Sequence, residues 1–144
     1  LFTSIFFIGN LLGKVVMGRM TDRIGQERLL ICCESCIFIS LLLLAFIPSA
    51  AIISALALIL GFFTKGTVPI TSTMIAEAVD KEAFESAYSI NSLSTSIANT
   101  VAPLFFGILA DILGVLMIFP ACGAAALLAA VPAAIMLREK KMMK

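Results

Sequence analysis

A lysine stands in the middle of an apolar run. Lys65 lies fourteen residues from one end of the segment 51–77 and twelve from the other. If that segment crosses a bilayer, an ammonium at such depth costs about 2.5–3.5 kcal/mol and persists only beside a counter-charge or water. Its neighbours are Thr64, Gly66, Thr67 and Pro69, then Thr71, Ser72 and Thr73. Gly66 and Pro69 weaken the ladder of a helix, so the spacing predicts an unwound stretch with backbone groups open to a ligand. Two chemistries suit this lysine. It binds an anionic group of a small molecule or a coupling carboxylate, or it makes a structural ion pair with an acid outside the chain.

A second polar constellation follows in the segment 86–110. Tyr88, Ser92, Thr95 and Asn99 recur at i, i+4, i+7 and i+11, one face of a helix, with Asn91 close by. Such a face does not point at lipid; it meets another helix or lines a water-filled cavity, and both readings are open. Lys65, Thr64, Asn91, Thr95 and Asn99 are therefore the candidate ligand-binding residues. Lys14 is shallower, and its stem can snorkel to the interface, with Asn10 one turn away at i−4. Lys14 reads first as a gating or structural residue and second as a substrate contact. Glu34 and Glu77 are candidate partners for Lys14, Arg19, Arg23 or Arg28.

Other chemistries find little support. The chain has no histidine, no nucleophile and base at usable spacing and no phosphate-binding loop, which argues against an enzyme. Cys32, Cys33 and Cys36 share one stretch and Cys122 lies far off, so helix packing is expected rather than a metal site. No cofactor is expected. The basic residues follow the pattern of the apolar segments rather than forming a patch, so nucleic acid is not an expected partner.

The elements that carry these residues are long apolar helices. Of 144 residues, 61% are hydrophobic and 13% charged, against roughly 25% charged in soluble domains. The segments read as 1–18, 29–47, 51–77, 86–110 and 113–137, each near the ~20 residues that span a hydrocarbon layer. They must be helical, because lipid offers no partner to an unpaired amide. The expected fold is an all-α polytopic membrane protein in one transmembrane region. Under alternating topology, Arg19, Arg23 and Arg28 in loop 19–28, Lys81 in loop 78–86, and Arg138, Lys140, Lys141 and Lys144 in the tail share one side. The turn around Pro48-Ser49-Ala50 and the turn at 111–114 carry no Lys or Arg. The positive-inside rule then makes the C-terminus cytoplasmic and the cell membrane the expected location. With Leu1 already inside a segment, further helices upstream are expected.

One motif recurs. Gly18-x3-Asp22-x2-Gly25 returns as Gly107-x3-Asp111-x2-Gly114, with three apolar segments between the copies, which places them on opposite faces. The first copy holds Arg19 and Arg23, the second no basic residue. An inverted repeat with cations on one face is how secondary transporters are built. Gly18-x3-Asp22-Arg23-x-Gly25, after Gly9 and Gly13, together with Pro103-x3-Gly107-x-Leu109-Ala110-Asp111-x2-Gly114 and the basic tail, resembles the major facilitator superfamily. The match is best to helices eight to twelve of its C-terminal half, with an N-terminal half as the alternative register. The pattern departs at Gln26-Glu27, where two basic residues are common.

That resemblance implies a partial six-helix half with inverted repeats, completed by missing N-terminal helices and rocking about a central site. It implies that Asp22 and Arg23 belong to a gate with Gly18, Gly25 and Lys14, and that Gly107, Asp111 and Gly114 form an outer turn. Asp22 as a cap on segment 29–47 is the simpler structural alternative. Segments 51–77 and 86–110 would line the cavity, and 29–47 and 113–137 would stand outside. The leading expectation is secondary active transport of a small solute, an organic anion with proton coupling; the bilayer and that solute are the expected partners. Drug efflux is the alternative transport reading. A membrane sensor or scaffold without flux is the alternative of another class, and it predicts that Asp22→Asn changes nothing.

Overall fold

A computed structural model describes residues 2–47 and 49–142, with the side chains of Asp22 and of residues 139–142 outside that description. Five α-helices follow one another: α1 (Phe2–Ile24), α2 (Gln26–Phe46), α3 (Ala50–Ala78), α4 (Phe84–Leu113) and α5 (Ile118–Met142). A single 3₁₀ turn, Val115–Met117, joins the last two. At 1.5 Å per residue a helix of 29 residues, the length of α3, reaches about 43 Å, more than the ~30 Å of a hydrocarbon core. Among the described residues four helical stretches, Gln26–Phe46, Ala50–Ala78, Phe84–Leu113 and Val115–Arg138, are long and apolar enough to cross a membrane. Five spans were expected, and α1 (Phe2–Ile24) is the fifth long helix, with Asn10 and Lys14 within its apolar run.

The helices run further than the sequence segments. Loop 19–28 is not a loop: α1 continues to Ile24 and α2 begins at Gln26. Arg19, Met20 and Arg23 are good helix formers, so nothing stops the helix until Gly25. There φ reaches +91°, a region that disfavours every residue with a Cβ. The turn at 111–114 shrinks in the same way, with α4 helical to Leu113 and Gly114 at φ +88°. Both glycines still donate an amide to the carbonyl four residues back, Gly25 to Thr21 and Gly114 to Ala110. The two motif copies thus end on the same backbone device, with three helices between them. Gly25 occupies the N-cap position of α2. The cap expected of Asp22 is therefore not at the capping position, because Asp22 belongs to the last turn of α1. Pro48 and the tail residues Lys140, Lys141 and Lys144 fall outside the described residues or side chains.

Helix α1 packs most extensively on α3, α2 packs on α5, and α2 also meets α3. The α1–α3 seam is built from glycine. A Cβ on Gly9 would overlap the Leu58 carbonyl oxygen, one on Gly13 the Phe62 carbonyl oxygen, and one on Gly61 the Phe6 carbonyl oxygen. Only hydrogen at these positions lets two backbones approach so closely, which is how helices associate where lipid removes the hydrophobic drive. Beyond the seam, Met17, Leu29, Leu30, Cys33, Ile70 and Ala133 form the buried cluster that joins α1, α2, α3 and α5. Cys33 is fully buried there, its sulfur 4.0 Å from that of Met17. Helix α4 has no buried residue and stands apart from the other four, touching α3 and α5 only lightly.

Candidate functional site

The gap between α3 and α4 is a cavity of about 390 Å³. Thr64, Lys65, Thr67 and Thr71 line it from α3, and Asn91, Thr95 and Asn99 face them from α4, with Tyr88 and Ser92. The structure therefore brings together all five candidate ligand-binding residues. Lys65 lies near the middle of α3 along its axis, and among the described residues no acid forms an ion pair with it.

The hydroxyls of this cavity are partly committed. On α4, Ser89, Ser94, Thr95, Ser96 and Thr100 each donate to the carbonyl four residues back, at 2.7–3.0 Å. These bonds stay within the helix, and of the five residues Thr95 and Ser96 line the cavity. Thr95, bonded to the Asn91 carbonyl at 2.8 Å, offers the cavity lone pairs, not a proton. The donors left for an anion are the Lys65 ammonium, the Asn91 and Asn99 amides and the hydroxyls of Thr64, Tyr88 and Ser92.

Helix α3 does not unwind at Gly66 and Pro69, contrary to expectation; it is continuous from Ala50 to Ala78. Its hydroxyls hold the backbone around the proline. Thr67 donates to the Thr64 carbonyl at 2.9 Å, Thr71 to the Thr67 and Val68 carbonyls at 3.0 Å, and Thr73 to the Pro69 carbonyl at 2.8 Å. These bonds fall on the carbonyls of Thr64, Thr67, Val68 and Pro69. Pro69 still lacks the N–H that would reach the Lys65 carbonyl.

Lys14 does not enter the α3–α4 cavity. It lines a second one of about 250 Å³ with Phe7, Asn10, Leu11 and, again, Lys65. Of the motif residues, Gly18 is helical, with a Cβ there meeting only Pro69 at 3.9 Å, and Arg23 is exposed in the last turn of α1. A cation in that turn suits the negative end of the helix dipole. Gly107 and Asp111 lie in the last turns of α4 and Gly114 is its C-cap. Glu77 has a partner that the sequence did not indicate: the buried Gln26 donates Nε2–H to its carboxylate at 2.6 Å. This bond ties the start of α2 to the end of α3. Gln26 stands where the resemblance expected a basic residue, and the bond it makes is that of a neutral amide donor. The available signal was that both residues close or open helices on the same side.

The chain is 32% identical over 79 residues to a Bacillus subtilis (strain 168) protein named as a niacin/nicotinamide transporter, NiaP, which covers 55% of this chain and 20% of that protein. It is 27% identical over 111 residues to the multi-drug resistance efflux pump PmrA homolog of Lactococcus lactis subsp. lactis (strain IL1403), covering 76% of this chain and 27% of the relative. The chain thus spans 20–27% of the length of these two relatives. No solved structure shows a significant match. The Major Facilitator Superfamily is matched over residues 1–143. With that match, its apolar helices and its transporter relatives, the chain is a multi-pass membrane protein that belongs to the major facilitator superfamily.

Proposed function

We propose that this chain forms five helices of a six-helix half of a secondary active transporter that moves a small organic anion by alternating access. The remaining helices come from polypeptide outside it. The observation that carries the reading is Lys65: a cation midway along a helix, open to a cavity whose other free donors are two amides, a phenol and the hydroxyls of Thr64 and Ser92, with no ion pair among the described residues. The name of the Bacillus subtilis relative points the same way, since niacin is a pyridine carboxylate. Proton co-entry is the proposed coupling. A membrane potential opposes inward movement of an anion by about 2.3 kcal/mol per charge per 100 mV, and a proton moving with it removes that term. In this reading the protein lies in the cell membrane with loop 78–86 and the C-terminus cytoplasmic, and the Gly18–Gly25 corner with Asp22, Arg23 and Lys14 is the cytoplasmic gate.

Uptake of labelled nicotinate by the intact protein in proteoliposomes, with and without an imposed pH gradient, tests it. Lys65→Ala is expected to lower uptake at least tenfold and Lys65→Arg to keep part of it. Unchanged uptake of nicotinate and of other carboxylates in Lys65→Ala would remove the anion reading. Export of amphipathic drugs is the second reading, favoured by the relative of Lactococcus lactis that covers most of this chain. It predicts ethidium efflux that Lys65→Ala leaves intact.

A further inference from the structure

The cavity beside α1 is built differently from the one between α3 and α4. Phe7, Asn10, Leu11 and Lys14 line it from α1, and Lys65 lines it from α3. Phe7, Leu11 and Lys14 recur at i, i+4 and i+7, one stripe of the helix. Along the glycine seam Gly9 meets Leu58 and Phe62, and Gly66 meets Gly13 and Met17. Helices α1 and α3 therefore run parallel, and Lys65 stands level with Lys14. Phe7 lies two turns away, about 10 Å along the axis. The cavity thus has a cationic end and an apolar end.

Phe7 and Leu11 are 63% and 69% exposed, on the same stripe as a lysine. A helix face that carries ammonium groups is not a lipid face, because charge in hydrocarbon is costly. Large apolar side chains and convergent cations around one space are the makings of a site for an amphipathic anion. Size fits as well. The cavity of about 250 Å³ exceeds the ~150 Å³ that suffices for benzene among Leu, Ile and Phe side chains.

From this we infer that the α1 cavity is the subsite for the apolar body of a carboxylate that bears one ring. The carboxylate lies between Lys14 and Lys65, and the ring lies against Phe7 and Leu11. Ammonium groups bind carboxylate oxygens through charge-assisted hydrogen bonds, while the ring leaves water for the apolar end. Lys65 also lines the α3–α4 cavity, so the two spaces share one cation. Phe7 and Leu11 then select against short carboxylates, which gain nothing from that end. The subsite rests on the reading of Lys65 as a ligand-binding cation and adds the residues that decide which anion is taken.

Benzoate and acetate carry the same charge and differ by the ring. Each is titrated against the melting temperature of the intact protein in nanodiscs, at constant ionic strength. Wild type is expected to favour benzoate by at least roughly tenfold. Phe7→Ala and Leu11→Ala should each lower benzoate affinity roughly fivefold to tenfold and leave acetate affinity in place. Neither residue belongs to the buried cluster, so both variants should fold. Lys14→Gln should weaken both acids alike, with Lys14→Arg partly restoring them. Equal affinities in wild type, no binding of either acid, or equal losses for the two acids in Phe7→Ala and Leu11→Ala overturn the inference. So does a Phe7→Ala protein with a lowered melting temperature and unchanged benzoate affinity, which would assign the stripe to packing against another helix. If Lys65→Ala leaves both affinities unchanged, the anion reading of Lys65 itself fails. If Lys65→Ala weakens both acids while Phe7→Ala and Leu11→Ala bind benzoate as wild type does, only this subsite fails.

Discussion

Replacing glycine by alanine at two positions of this chain should give opposite outcomes. Gly13 faces the backbone of α3: an added Cβ would overlap the Phe62 carbonyl oxygen and lie 2.8 Å from its carbonyl carbon and 3.0 Å from its Cα. These are backbone atoms and cannot rotate aside, so only separation of α1 from α3 relieves the clash. Gly107 lies within α4, and an added Cβ there meets nothing within 4 Å. Both substitutions gain the same helix propensity, up to ~1 kcal/mol, so the difference between the variants cancels that gain. What remains is the overpacking term, about 1–3 kcal/mol, and contact with rigid backbone places it toward the upper end. Gly13→Ala should therefore be less stable than wild type and Gly107→Ala equal or more stable. Gly66→Ala should fall between them, since its nearest neighbour is Met17 Cγ at 2.7 Å, an atom of a flexible side chain. The measurement is reversible SDS unfolding of the intact protein in bicelles, followed by circular dichroism. A Gly13→Ala protein as stable as Gly107→Ala would refute the glycine seam.

Three other outcomes are expected. Gly25→Ala and Gly114→Ala each force a Cβ into the left-handed region and should cost about 1–2 kcal/mol in the same unfolding measurement, the two losses matching because the backbone angles match. Gln26→Leu should destabilise by up to about 1.5–3 kcal/mol, reduced by the exposure of Glu77; a double-mutant cycle with Glu77→Gln should give a coupling energy well above zero, and a null coupling rejects the tie between α2 and α3. Single cysteines at Arg23 and Asp111 in an otherwise cysteine-free protein should react with an impermeant maleimide from opposite compartments, Arg23 from the cytoplasm. Labelling of both from one side would reject the inverted placement of the two corners.

The helices and the two corners were legible because their signals are local. Long apolar runs have one solution in lipid, and Gly25 and Gly114 mark the only two positive-φ positions among the described residues. The α3–α4 site was legible for a related reason: Tyr88, Ser92, Thr95 and Asn99 at helical spacing, and one lysine deep in an apolar run, have few places to face. Two expectations failed because a local weakness was judged without its compensation. The charged residues between Gly18 and Gly25 looked like a loop, yet they are compatible with a helix and only the last glycine ends it. Gly66 and Pro69 looked like a break, yet the hydroxyls of Thr67, Thr71 and Thr73 hold the carbonyls around them.

What the sequence did not disclose depends on which helices are neighbours. Gly9, Gly13, Gly61 and Gly66 are unremarkable singly; they acquire meaning only once α1 and α3 are side by side. Gln26 and Glu77 are 51 residues apart and meet for the same reason. The pairing of α1 with α3 also changes how Lys14 is understood. Taken alone it is a shallow lysine able to snorkel, one turn from a gate. Because each lysine adjoins a glycine of the seam, the contact that lets the two backbones touch also sets the two cations at one level. Under the proposed reading of Lys65 as a ligand-binding cation, stability and ligand chemistry are coupled in this pair of helices. A side chain at Gly13 or Gly66 that pushes the helices apart also draws Lys14 away from Lys65, so an anion held by both should bind more weakly to any variant that loosens the seam.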